Sequence, residues 1–498
     1  MRNLLLGTTA VVGAALIALP VAAQAPAASD LPVLPRATLS LGPGVTGSPG
    51  PLGTGLQIRL GGYMNTSFIW AYDSLDRARG NPTGVNGVGN QSRSHNDFRN
   101  EVEIHLNVSG KAANGLSYGA VVEIQNDNVG GGSGSALDLD EAYMFVSSPT
   151  LGTIRFGEED SAAALMQVRA PSIVQFGPDG NWDVGILGSQ TQTAGNPSLL
   201  TGINDGNDAT KVIYLSPQFY GFDVGFSYAA NNGEGDRPFQ GRAVDFIGAA
   251  GAVIVPSATQ RDRNQSTTQI NNEFSAALRY RGSFQNVGVA ASFVAMRADA
   301  ARSTLSNQTA AGVVSVTAGP NLSGGQRPPD VTAYSFGLNL SAYGFTFGGE
   351  YTWGNYSGVS VGRAPLQNSP NGDKRDASSH YILGLTYVTG PWAFGTYWGQ
   401  GTQDNGNSIS VTTNGVAATL LNPEDRKQSA WGFGVAYTLA PGLELFANYN
   451  VVNDKNVYLQ PLATVTTAGQ VSNAPGSAAN TVQSRNYQGL FLGTRLSF

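Results

Sequence analysis

Three histidines, His95, His105 and His380, are the only imidazoles of this sequence that could serve as a general base, and no cysteine is present to act as a thiol nucleophile or thiolate ligand. A hydrolase needs a nucleophile beside a positioned base, and none of the three histidines offers that pairing in the sequence. His95 falls in a loop-like stretch and His380 near the start of a strand-like run. His105 follows Glu101 and Glu103 at alternate positions and reads as a solvated wall histidine. No G-x-S-x-G, H-E-x-x-H or P-loop pattern occurs. The glycine-rich GVNGVGNQ (84–91) has no strand before it leading into a helix, so it reads as loop. The stretch NNGEGDRP (231–238) has calcium-loop residue types, but these are equally ordinary turn residues. No enzyme, cofactor or metal site is predicted.

The chemistry left to the charged residues is electrostatic. Glu158, Glu159 and Asp160 stand together, with Asp179 and Asp183 downstream. Arg59, Arg99, Arg155, Arg279 and Arg495 are the candidate fixed cations, and arginine suits that role because it never deprotonates. Glu101, Glu103 and Glu123 are the candidate acids beside them. With 28 basic and 34 acidic residues the formal charge is only −6, which gives no footprint for nucleic acid.

Fixed charges act together only if one surface carries them, and the alternation of residue types supplies that surface. Leu56, Ile58, Leu60, Met64, Phe68, Trp70 and Tyr72 share one parity; Gln57, Arg59, Asn65, Ser67 and Asp73 share the other. Phe98, Val102, Ile104, Leu106 and Val108 alternate with Arg99, Glu101, Glu103, His105 and Asn107. Leu116, Tyr118, Ala120, Val122 and Ile124 alternate with Ser117, Glu123 and Gln125. Every charge of these runs falls on one face. A Lys or Arg turned to mid-bilayer would cost about 2–4 kcal/mol, so strict exclusion is expected where the apolar face meets lipid. The run DLDEAYMFVS (138–147) is partly apolar on both faces, and its register is open.

Alternation also fits a secreted sandwich; the connections separate the two. The pattern predicts about sixteen strands, from 56–72, 98–109 and 116–126 through to 443–452 and 487–498. Tight links such as GKAANG (110–115), SPQFYG (216–221), AYG (342–344), TGP (389–391) and LAPG (439–442) alternate with long polar ones. Membrane barrels keep that rule, with short periplasmic turns and long external loops. Aromatics gather at strand ends (Trp70, Tyr72, Phe98, Tyr228, Tyr351, Trp353, Trp392 and Tyr449), as interfacial girdles would. The predicted fold is an all-β transmembrane antiparallel barrel spanning 56–498 in a lipid bilayer. Leu490, Leu492, Leu496 and Phe498 share the apolar parity of the last strand, which must pair with the first because a closed barrel has no free edge.

Residues 1–23 read as a secretory signal peptide: Arg2, an apolar core over 4–19, then small residues. Cleavage is placed after Ala23, with Ala23 and Ala25 as the competing A-x-A site. Residues 24–55 form a Pro/Gly-rich arm whose role is not legible.

KVIYLSPQFYGFDVGFSY (211–228), GKAANGLSYGAVVEI (110–124), GTIRFG (152–157) and the terminal Phe498 resemble the sixteen-stranded general porins of Gram-negative outer membranes. The resemblance implies an outer-membrane homotrimer of water-filled pores for passive diffusion of small hydrophilic solutes and ions. It implies that residues 158–209 fold inward as a constriction loop whose acids face a basic cluster on the opposite wall, and that the outer-membrane assembly machinery reads the terminal strand. The tip sequence of that loop departs from the family pattern, being QFGPDGNWD (175–183). Two alternatives stay open: a substrate-specific channel, and a pore-poor structural or adhesive barrel. The lumen-parity aromatics Tyr63, Phe446 and Phe491 form no run, which favours a general pore.

Overall fold

In a computed structural model of the chain, sixteen antiparallel strands close into one barrel. The structure describes residues 53–73, 95–126, 138–173, 200, 202–203, 209–231, 270–300, 330–355, 377–404, 424–459 and 481–498, together with short hairpin strands between 246 and 472. The leader 1–23 and all but the last residues of the proposed arm lie outside them. The first strand begins at Gly53, inside that arm.

The strands are β1 (Gly53–Asp73), β2 (Asn96–Ala112), β3 (Ser117–Asn126), β4 (Asp138–Ser148), β5 (Gly152–Glu158), β6 (Thr210–Leu215), β7 (Phe222–Asn231) and β8 (Ile270–Phe284). They continue as β9 (Val287–Ala300), β10 (Val331–Ala342), β11 (Phe345–Asn355), β12 (Ala377–Thr389), β13 (Trp392–Gln403), β14 (Arg426–Ala440), β15 (Leu443–Leu459) and β16 (Thr481–Ser497). Each pairs with the next. β16 closes the ring on β1, from Tyr63 opposite Ser497 to Asp73 opposite Tyr487. Closure satisfies every strand's backbone donors and acceptors, which is the condition for crossing hydrocarbon.

Short and long links alternate around the whole ring. At Tyr343–Gly344 the chain reverses in two residues, with φ of 53° and 83°. Positive φ at both central positions is the type I′ arrangement, whose twist matches the flanking strands. The outer face is apolar and exposed, as at Met64, Phe98, Leu106, Phe226, Phe293 and Leu383. Aromatic pairs ring both rims. Phe68–Phe98, Tyr351–Trp353 and Trp431–Tyr449 lie toward the long loops, with centroids 5.5, 5.2 and 5.7 Å apart. Phe222–Tyr280, Phe345–Tyr387 and Trp392–Tyr437 lie toward the short turns at 4.9, 4.3 and 4.6 Å.

The ambiguous β4 has a physical explanation. Val122 pairs with Ala142 but Ile124 pairs with Leu139, so the register shifts between them. Such a bulge reverses parity along the strand. Leu139 therefore faces outward together with Met144 and Val146, while Glu141, Tyr143 and Phe145 are buried inside.

Candidate functional site

After β5 the chain turns onto the inner face of the barrel. Ser161 caps a one-turn helix, α1 (Ala162–Met166), its Oγ accepting from the Ala164 N–H at 3.2 Å. Residues 162–173 then cross the inner wall strand by strand. The Ala162 N–H donates to Ser227 Oγ on β7 (3.1 Å), and the Ala163 N–H to Ser275 Oγ on β8 (3.1 Å). The Val168 N–H donates to Ser292 Oγ on β9 (2.6 Å), and Asn339 Nδ2 on β10 donates to the Arg169 carbonyl (3.0 Å). The Ala170 N–H reaches Glu350 Oε2 on β11 at 3.3 Å.

The wall is small wherever this main chain runs. A Cβ built on Gly337 would lie 1.7 Å from the Val168 carbonyl oxygen, and one on Gly384 would lie 2.1 Å from that of Pro171. Gly225 makes room for Met166 and Gly395 for Ile173. The returning limb is tied to the outgoing one by Gln167, which accepts from the Ile203 N–H (2.9 Å) and donates to the Ile203 carbonyl (2.6 Å). Buried Lys211 closes the neck, donating to the carbonyls of Glu159 (2.6 Å) and Ala209 (3.0 Å). None of these serines, glycines or Lys211 was singled out from the sequence. The signal was there, as small residues at inward parity on successive strands, but nothing local says what lies against them.

Among the described residues the acids and bases form local pairs. Glu159 is buried and paired with Arg155 on its own side of the barrel, Nη1 to Oε2 at 2.7 Å, with the guanidinium 5.1 Å from the Tyr143 ring centre. Asp160 is buried and Glu158 half-buried in β5. Asp179 and Asp183 lie outside the described residues. Arg99 pairs with Glu101 at 3.2 Å, and Arg279 with Asp223 at 2.6 Å. Arg495 sits 4.0 Å over the Tyr63 ring, and Arg59 is exposed beside Gln57 near the short-turn end. The arginines are thus spread around the wall, each described pair being local. The physical reason is proximity: Asp223 stands opposite Arg279 in the ladder, Glu101 is the next inward residue after Arg99 on β2, and Glu159 follows Arg155 by four residues.

Glu101, Glu103 and Glu123 do meet. The Tyr63 hydroxyl lies 2.8 Å from both Glu101 Oε1 and Glu103 Oε2, and Asn65 Nδ2 donates to Glu101 Oε2 at 3.3 Å. His105, expected as a solvated residue, is instead part-buried between Glu103 and Glu123. The inner aromatics also form a group. Phe446 and Phe491 pack with Tyr397, Tyr487, Ile382 and Leu200 of the returning limb. Sequence reading missed Tyr397 and Tyr487 here, because the four aromatics come from three strands, β13, β15 and β16. They are buried against one another, so they do not amount to a water-lining track.

Because Glu159 balances a buried guanidinium, it differs from its neighbour Glu158. Removing one partner of a buried pair costs about 3–5 kcal/mol. Glu159→Gln is therefore expected to lower the unfolding temperature of the detergent-folded barrel markedly, and by more than Glu158→Gln, whose side chain is only half-buried. Equal effects in thermal gel-shift assays would show the Arg155–Glu159 pair to be energetically idle.

A sequence model described as Gram-negative porin matches residues 8–457. No curated protein matches the chain. Among solved structures, it is similar to an anion-selective porin from Comamonas acidovorans, with 14% identity, 89% of this chain and 100% of that chain covered, and a TM-score of 0.45. It is also similar to the outer membrane channel DcaP of Acinetobacter baumannii, with 11% identity, coverage of 91% and 99%, and a TM-score of 0.48. A loop-deletion mutant of OmpT, an outer membrane protein of Vibrio cholerae, aligns with 11% identity, coverage of 89% and 99%, and a TM-score of 0.46.

Proposed function

The chain belongs to the Gram-negative porin family, and from that premise we propose that its channel passes small hydrophilic solutes and ions by passive diffusion, with no reaction, cofactor or energy input. It is an outer-membrane β-barrel channel. The observation that supports the finer reading most is the segment 162–173, held along the inner wall by backbone bonds to Ser227, Ser275 and Ser292. A segment bound inside a barrel reduces its cross-section, so this one is the constriction. Selectivity then follows from width and wall charge. The mature chain, released by cleavage of 1–23, would work as a homotrimer placed in the membrane by the outer-membrane assembly machinery.

Purified protein should form stepwise, ohmic channels in planar lipid bilayers. A folded, inserted protein without conductance would sink this reading in favour of a pore-poor structural barrel. Saturable transport of one solute class would favour a substrate-specific channel. Wall charge has its own readout. The double variant Glu158→Gln/Asp160→Asn, which spares the Glu159 pair, should move the reversal potential in a salt gradient toward anion preference. An unmoved potential would mean these two acids are electrically silent in conduction.

A further inference from the structure

We propose that Glu103, His105 and Glu123 form a binding site for a divalent transition-metal ion, with Zn²⁺ the best match, on the inner wall of the barrel. The ladder builds the site. His105 on β2 lies directly opposite Glu123 on β3, and Glu103 is two residues away on the same strand and face. One ligating atom from each of the three lies within 4.8 Å of the others. His105 Nε2 touches Glu103 Oε1, and its Nδ1 is 3.7 Å from Glu123 Oε1. Donors in a tetrahedral zinc site stand about 3.3 Å apart; since the two ring nitrogens now face different carboxylates, the ion would draw one carboxylate round to the nitrogen the other already meets.

A second observation points to a cation independently of that spacing. Glu123 is only 4% exposed, yet its Oε2 has no hydrogen-bond partner. A buried, under-satisfied carboxylate oxygen is costly. Gln125, opposite Glu103 in the ladder, carries a buried Oε1 that is also without a partner. Charge leads the same way. Arg99 pairs with Glu101, so Glu103 and Glu123 are two acids with one imidazole between them. A dication balances that pair.

The donor set selects the ion. Calcium and magnesium take oxygen ligands, whereas an imidazole with two carboxylates suits zinc and its neighbours. The Tyr63 hydroxyl on Glu103 Oε2 holds that carboxylate from behind, as outer-shell groups do in metal sites. Three protein ligands leave a position open to water or a passing anion. His105 keeps 15% of its side chain exposed, which gives the ion a way in.

The test is titration of the untagged, detergent-folded protein with ZnCl₂ in metal-free buffer by calorimetry. One saturable site per chain is expected, weakened at least tenfold by His105→Gln and by Glu123→Gln, with MgCl₂ binding far more weakly. On the unmodified protein, Zn²⁺ should protect His105, but not exposed His95, from diethylpyrocarbonate, as mapped by mass spectrometry. This arm needs no mutant to fold. Neither arm depends on conduction, so failure here leaves the channel reading standing. Absence of saturable zinc binding, equal binding of Mg²⁺, or full reactivity of His105 in saturating Zn²⁺ would each overturn the site.

Discussion

Valine at Gly337 should lower single-channel conductance, raise current noise and expose the inner segment to protease, while leaving the barrel folded. The new Cβ would meet the Val168 carbonyl oxygen at 1.7 Å. That atom is backbone and has no rotamer to swing into, so either β10 or the segment must give. β10 is held on both sides by ladders running from Val331 to Ser341 on β9 and from Thr332 to Ala342 on β11. The segment is held by single side-chain bonds from Ser292, Asn339 and Glu350, each worth about 1 kcal/mol net. An overpacked contact costs about 1–3 kcal/mol, enough to lift the segment but not to break a closed sheet. A segment lifted off the wall moves toward the pore axis, so conductance falls. Trypsin reports the same event at Arg169, which should be cut faster than in the parent protein. Gly384→Val should do likewise through the Pro171 carbonyl, and Gly337→Ala more mildly. Parent-like conductance together with parent-like cleavage would show that the wall glycines do not seat the segment.

Deleting Phe498 should reduce the yield of folded, heat-modifiable protein in membranes several-fold, with near-normal conductance in the channels that do form. The Phe498 N–H donates to the Gly62 carbonyl at 3.0 Å, and the Gly62 N–H donates to the Phe498 carbonyl at 3.1 Å. This reciprocal pair ends the seam that closes the barrel. Until the seam forms, each unpaired backbone group in lipid costs several kcal/mol. Leu492 and Leu496 are exposed on the outer face and Leu490 and Phe498 partly so, so the strand's apolar parity defines which way it lies. A slip by one residue would turn Arg495 from the Tyr63 ring to the lipid, at about 2–4 kcal/mol. The deletion removes the end of this seam and an outward side chain, neither of which touches the lumen. Unchanged yield would reduce Phe498 to one rim aromatic among many; altered conductance at unchanged yield would assign it to the pore instead.

The barrel itself was legible because its causes are local. Alternation at Leu56–Tyr72 or Phe98–Val108 states which side chains face lipid, since one misplaced charge costs more than a strand can spare. The order of short and long links sets the strand count, and closure makes the last strand the partner of the first. β4 escaped because its bulge between Leu139 and Ala142 switches parity midway, and periodicity cannot follow a residue added to one side of a ladder. The inner wall escaped for a different reason. Parity says that Arg155, Asp223 and Arg279 face inward, not whom they meet; the register sets Arg279 opposite Asp223, and the turn of the chain after β5 brings Glu159 back to Arg155. Ser227, Ser275, Ser292, Gly337 and Gly384 look like unremarkable strand residues until residues 162–173 are laid across them. His105 likewise became a candidate ligand only when β3 set Glu123 beside it. Facing is a property of one strand and can be read along it. Partnership depends on how strands from distant parts of the chain are set side by side, and only the closed barrel decides that.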